Sequence, residues 1–332
     1  MIFYFTGTGN SFAAAHTMAE ITHDELVDIG ESYRMGRFGF RVEQGETLGF
    51  VFPVYDRAVP RIVSAFIDWL AFITPNGNPF VPGYCFCAIT CGESVGTAAK
   101  AFAKELKAAL NIRLDASYSI EDVDNCIIKH SPGSPEERRM RNHAAHRQAR
   151  AVAFSVNAKR MGSMEKKGAW SAAVGALSAL GSHAIDIEPF TVDRSVCVGC
   201  GTCARLCPTH TVTIENGAPR WDGDQCTLCL ACLQRCPVFA IDYGTRTHDR
   251  DRYVNPVFKR TPTRLTALAA SVDMTVPDPD DVVRQGEYEE PDVDEPSAAA
   301  LSPYAAPDAG ATPDDRACAH ENGAAETDRP AR

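Results

Sequence analysis

The stretch CVGCGTCARLCP (Cys197–Pro208) returns as CTLCLACLQRCP (Cys226–Pro237), cysteine for cysteine and proline for proline. Three cysteines at two-residue intervals can wrap three corners of a cubane, because a tight loop brings each thiolate back to one centre. The fourth cysteine lies just past the loop, where the departing chain reaches across to the other cubane. The spacing therefore predicts that Cys197, Cys200, Cys203 and Cys236 hold one [4Fe–4S] cluster, and that Cys226, Cys229, Cys232 and Cys207 hold a second. Structural zinc sites are the competing reading. They pair two separated C-x2–4-C units and have no need of three evenly spaced ligands plus a crossover. Gly199 and Gly201 let backbone amides approach the cluster sulfurs.

The repeat extends beyond the cysteines, with Val212-Thr213-Ile214 after the first motif and Ala240-Ile241 after the second, so two halves related by a pseudo-twofold are expected. Over about 50 residues this module resembles the bacterial two-cluster ferredoxins. The resemblance implies a small α+β domain that shuttles single electrons at low potential.

Toward the N-terminus the pattern changes. Apolar runs at Ile2–Phe5, Leu26–Ile29, Leu48–Val54, Tyr84–Thr90 and Leu114–Ile120 alternate with helical patterns at Ser11–Glu20, Pro60–Ala71 and Thr97–Leu110. Such alternation predicts a doubly wound parallel sheet covered by helices on both faces. Ser134-Pro135-Glu136-Glu137 opens a long final helix extending toward Lys167, with serine as cap and proline at the first helical position.

The first strand runs into Thr6-Gly7-Thr8-Gly9-Asn10-Ser11. A glycine turn at a helix start points amides at an anion, and the hydroxyls add donors. Without a lysine or the dinucleotide spacing, the loop suits a monophosphate. It resembles the phosphate loop of flavodoxins. That resemblance implies FMN and a strand order 2-1-3-4-5, with Pro53, Val54 and Tyr55 after the third strand and Thr90, Cys91 and Gly92 after the fourth flanking the flavin ring. Asp56 and Arg57 depart from the smaller or aromatic residues expected there. Together with the Asp124-Asn125 loop and the closing Tyr243-Gly244 and Arg252–Pro256 segment, the chain to about Phe258 resembles a family of flavodoxin–ferredoxin fusion proteins. The implied organisation is an FMN domain over residues 1–167, a connector over 168–188, a two-cluster domain over 189–258 and an extension over 259–332.

Composition sets the outer limits. The net charge of −10 is carried by the extension, where sixteen acidic residues face four basic ones after Ser271. The rest is near neutral and lacks the basic footprint of a nucleic-acid binder. From about Val276 the chain is expected to be disordered, since Pro, Ala, Asp and Glu cannot bury enough surface to offset ordering entropy. Met1 leads directly into a strand-like run with no basic leader, so a cytoplasmic, reducing location is expected. Gly168–Ala184 is uncharged but too short and too weakly apolar for a membrane span. Cys85 and Cys87 read as neighbours on one core face of a strand, and His143 and His146 as members of a solvated helix face. The function these features predict is electron transfer between FMN, the two clusters and a redox partner protein. The alternative is an FMN-dependent reductase of a small substrate fed by the clusters.

Overall fold

A computed structural model describes residues 1–166 and 186–260. Most of the expected connector, the Gly168–Ala184 stretch and the acidic extension lie outside the described residues.

The N-terminal part is an α/β unit with a six-stranded sheet. Strands β1 (Ile2–Tyr4), β2 (Leu26–Asp28), β4 (Thr47–Pro53), β6 (Tyr84–Cys91), β7 (Ala116–Glu121) and β8 (Gly162–Met164) lie in the order β2-β1-β4-β6-β7-β8. Every pairing is parallel, with Ile2 opposite both Leu26 and Gly49, Thr47 opposite Tyr84, and Phe86 opposite Ala116. The first five strands have the order 2-1-3-4-5 expected of a flavodoxin-like sheet. The sixth, β8, is an addition that the sequence reading missed.

Strand alternation divides the core in two. Phe3, Phe5, Leu48, Phe50, Phe52, Cys85, Cys87 and Ile89 face helices α3 (Arg61–Trp69) and α4 (Ala98–Leu110). Ile2, Tyr4, Val51, Tyr84, Phe86, Ala88, Tyr118 and Ile120 face α1 (Asn10–Thr22) and α5 (Pro135–Asn157). Cys85 and Cys87 thus share one buried face, as expected. Strands β4 and β6 read as unbroken apolar runs because helices cover both of their faces.

Helix α5 begins where the sequence signalled, with a complete capping box between Ser134 and Glu137. It ends ten residues before Lys167. Lys159 turns the backbone into the left-handed region (φ 47°), and Gly162–Met164 joins the sheet edge. Three further short elements lack a periodic signal: α2 (Ile29–Arg34) and the parallel pair β3 (Gly39–Arg41) and β5 (Ala71–Ile73).

The C-terminal part is a small unit with antiparallel strands. β9 (Phe190–Val192) pairs with β12 (Ile241–Tyr243), and β10 (Val212–Glu215) pairs with β11 (Ala218–Trp221). Helices α6 (Thr202–Leu206) and α7 (Ala231–Gln234) each follow one cysteine loop. Phe190 stacks on Trp221 with ring centroids 5.1 Å apart and crosses Tyr243 edge-on.

The two units share surfaces. Ile127 and Ile128, which follow β7, are part of the C-terminal unit's core. In return, Phe258 of α8 (Pro256–Arg260) enters the sheet's second core and meets Phe12 at 5.1 Å. Among the described residues, no helix is long and apolar enough to cross a membrane.

Candidate iron–sulfur centres and the crevice beside them

Each cysteine loop is built by residues in the left-handed backbone region. In the first motif these are Gly199 (φ 68°) and Gly201 (φ 70°), with His210 (φ 55°) further on. The equivalent positions of the second motif, Leu228 (φ 52°), Leu230 (φ 58°) and Phe239 (φ 53°), repeat the same conformation with side chains that disfavour it. The local backbone conformation thus repeats between the two motifs, as their sequences do.

Cys197, Cys200, Cys203 and Cys236 line one cavity together with Gly199, Gly201, Ile214, Val238 and Ile241. Cys236 of the second motif therefore lies beside the first triplet. Cys207 is close enough to Cys226, Cys229 and Cys232 to raise the cost of charging each of them. Burial pushes the Cys203 thiol up to about 11 and the Cys229 thiol up to about 12. Thiols at those values stay protonated near neutrality, so binding iron must release their protons. Among the described residues no three His, Cys, Asp or Glu side chains converge as a single metal ion requires. A cubane instead spreads its thiolates around a cage.

The surroundings fit such a cage. Thr227 Oγ1 is buried without a hydrogen-bond partner, and the buried Trp221 indole N–H is directed at the Cys232 thiol. Thr227 directly follows Cys226. Cluster sulfurs are acceptors that would satisfy these donors. Leu228 N–H donates to Cys226 Sγ at 3.3 Å. No sequence signal marked Trp221 or Thr227, because each acts only through the fold.

The residues expected to hold FMN come together at the carboxyl edge of the sheet, and several of their side chains are hydrogen-bonded within the chain. Thr6 Oγ1 accepts from Gly9 N–H at 2.9 Å. Thr8 Oγ1 accepts from the Asn125 side chain, and Thr8 O accepts from Asn255 N–H at 2.8 Å. The Asn10 amide donates to Val123 O at 3.0 Å, and its oxygen accepts from Tyr253 and Asn255. Ser11 and Thr90 share a hydroxyl hydrogen bond of 2.7 Å.

Space is occupied as well. A Cβ on Gly7 would stand 2.2 Å from the Cys229 carbonyl oxygen, and one on Gly9 would stand 2.5 Å from Phe258 Cβ. Tyr55 follows Pro53 and Val54 and closes a turn with Ala58. Tyr55 and Cys229 pack against the same hydrophobic core, and burial near Cys229, Cys126 and Cys226 pushes the phenol well above its usual range. Thr90 and Cys91 are buried, and strand β6 extends to Cys91, which corrects the expected placement of Cys91 beyond the fourth strand. Gly92 is pressed against Asp124. In this arrangement the residues do not fit FMN.

Residues 190–253 match the family model of the 4Fe-4S dicluster domain. An uncharacterized ferredoxin of Methanocaldococcus jannaschii is 41% identical over 54 residues, covering 15% of this chain and 70% of the relative. The chain belongs, through this C-terminal part, to the dicluster ferredoxins. A polyferredoxin-like protein of the same organism is 30% identical over 66 residues (16% of this chain, 39% of the relative). One component of the Na(+)-translocating ferredoxin:NAD(+) oxidoreductase complex of Acetobacterium woodii is 42% identical over 45 residues (13% and 14%). The dicluster ferredoxin part thus spans well under two thirds of these latter two relatives. Among solved structures, an azoreductase from Bacillus anthracis aligns at 14% identity over 46% of this chain and 97% of its own, with a TM-score of 0.28. The Trp repressor binding protein from Bacillus subtilis aligns at 13% identity over 46% and 95%, with a TM-score of 0.29.

Proposed function

We propose that the chain is an electron-transfer protein carrying two [4Fe–4S] clusters, one held by Cys197, Cys200, Cys203 and Cys236 and the other by Cys226, Cys229, Cys232 and Cys207. The observation that carries this reading is the crossover: the first cavity is lined by three cysteines of one motif and the fourth of the other. A bound cluster of this type gains and loses one electron at a time. The chain's own residues hold the thiolates apart, exclude water and offer N–H donors to sulfur, and in this way they set the potential.

A protein redox partner is part of the proposal. Val198 and Ile214, both lining the first cavity, are 56% and 39% exposed, and Val196 beside Cys197 and Phe239 beside Val238 are 42% and 48% exposed. An exposed apolar patch beside a redox centre suits transient docking. The naming of one relative as part of an oxidoreductase complex supports the same reading. The expected FMN is left out of the proposal, and with it the flavin-dependent reductase, because the loop geometry gives the flavin no room.

Anaerobic purification followed by iron, sulfide and zinc analysis tests the reading. Roughly eight iron and eight sulfide per chain are expected. Zinc in their place, or iron for a single cluster, would contradict it.

A further inference from the structure

The crevice at the carboxyl edge of the sheet has an occupant, and it is the chain itself. Two segments fill it. The first is the loop of the second cysteine motif, whose Cys229 carbonyl lies against Gly7 so closely that even a methyl group would collide. The second is the closing strap from Tyr253 to Phe258. Its Tyr253 hydroxyl donates to Asn10 Oδ1 and reaches Asn142 Oδ1, both at 2.8 Å. Its Asn255 bonds to Thr8 and Asn10, and its Phe258 ring lies against Gly9 and Phe12.

The two segments also brace each other. Gln234 of α7 accepts from Tyr253 N–H at 3.0 Å and donates to Asn125 O at 2.9 Å. The Arg235 guanidinium sits 4.6 Å from the centre of the Phe258 ring. Tyr253, Asn255 and Asn10 are buried, so this is a packed interface and not a lid resting on an open site.

We infer that the glycine-rich loop Thr6–Ser11 is a socket for the second cysteine loop and the 253–258 strap, so that the α/β unit houses the second cluster's ligands and binds no FMN. A loop that resembles a phosphate cradle here supplies its small residues and short polar side chains to another part of the same chain. Glycine at position 7 is then required by a carbonyl and not by a phosphate. The consequence is an asymmetry between the two cysteine groups: Cys229 of the second packs with Tyr55 against the sheet's core, whereas the first lines a cavity together with the exposed Val198 and Ile214.

This inference rests on the two-cluster reading, and the experiment separates their failures. The full-length chain, reconstituted anaerobically with iron and sulfide, is dialysed against FMN, and iron, flavin and the EPR of the reduced protein are measured. Absence of two clusters is failure of the functional reading. Two clusters with no retained flavin are expected; two clusters with stoichiometric FMN would overturn the socket.

Two variants carry the test further. Gly7→Ala should perturb the signal of the Cys226, Cys229, Cys232 and Cys207 cluster and leave the other signal as in the wild type. Unchanged signals from both clusters would count against the inference. Should Gly7→Ala fail to fold, Tyr55→Ala, which only removes atoms, serves instead. It should speed oxygen bleaching of the second cluster several-fold without changing the first, and equal bleaching in variant and wild type would overturn the socket.

Discussion

Asp122 is almost wholly buried just after β7, with Val123 N–H donating to its carboxylate at 2.7 Å. Desolvation outweighs that hydrogen bond and the nearby Arg141 charge, and pushes the carboxyl up to about 7. An unfolded aspartate titrates near 3.9. Between those values the folded chain holds a proton that the unfolded chain lacks, so the fold is favoured at acid pH. The gain is complete below about pH 4 and is lost as pH rises through about 7. Urea unfolding at about pH 5.5, 6.5 and 7.5 should show stability falling across the series. Asp122→Asn should flatten that slope; an unchanged slope would place the proton elsewhere. The two cysteine motifs were legible from their spacing alone, whereas the left-handed turns at Leu228 and Leu230 were not. Nothing in a leucine announces a left-handed backbone, and only the repeat beside Gly199 and Gly201 explains it.

Among the elements, those with long apolar runs or strong caps were readable, and those defined by a neighbour were not. Strands β4 and β6 and helices α1, α3 and α4 fall within a few residues of their sequence signals. β8 is only Gly162-Ser163-Met164, with no apolar alternation, and it exists because β7 offers an edge. The parallel pair β3 and β5 likewise needs its partner to be recognised. Helix α5 was marked by Ser134, whose hydroxyl accepts from Glu137 N–H at 3.2 Å while the Glu137 carboxylate accepts from Ser134 N–H at 2.7 Å. Breaking this reciprocal cap with Ser134→Ala should cost about 1 kcal/mol in denaturant unfolding, without loss of iron. A cost near zero would mean that packing on α1 alone fixes the helix start. Deeper in the sheet, Phe50→Ala removes a fully buried ring that meets Phe3 and Phe102, and should cost about 3–5 kcal/mol.

For the whole molecule, the architecture was readable as two units but their mutual fit was not. The glycine loop and the cysteine motifs were each recognisable, and each suggested its own cofactor. Their contact through Gly7 and Cys229 depends on the path of the chain between them, which no local pattern encodes. Because Cys229 packs against the sheet's core and Ile127 and Ile128 enter the ferredoxin-type unit, cluster loss should be felt by both units. Iron removal by anaerobic chelation should lower the melting temperature and increase hydrogen exchange in Thr6–Ser11 as well as in the cysteine loops. Exchange confined to residues 190–253 would mean that the units are energetically independent. The proposed crossed ligation would tie the two cysteine motifs together, and Cys207→Ala probes it most directly through EPR of the anaerobically reduced protein. The cluster of Cys226, Cys229 and Cys232 should be lost or altered while the cluster of Cys197, Cys200, Cys203 and Cys236 keeps its wild-type signal. Selective loss of the signal from the Cys197 group would contradict crossed ligation.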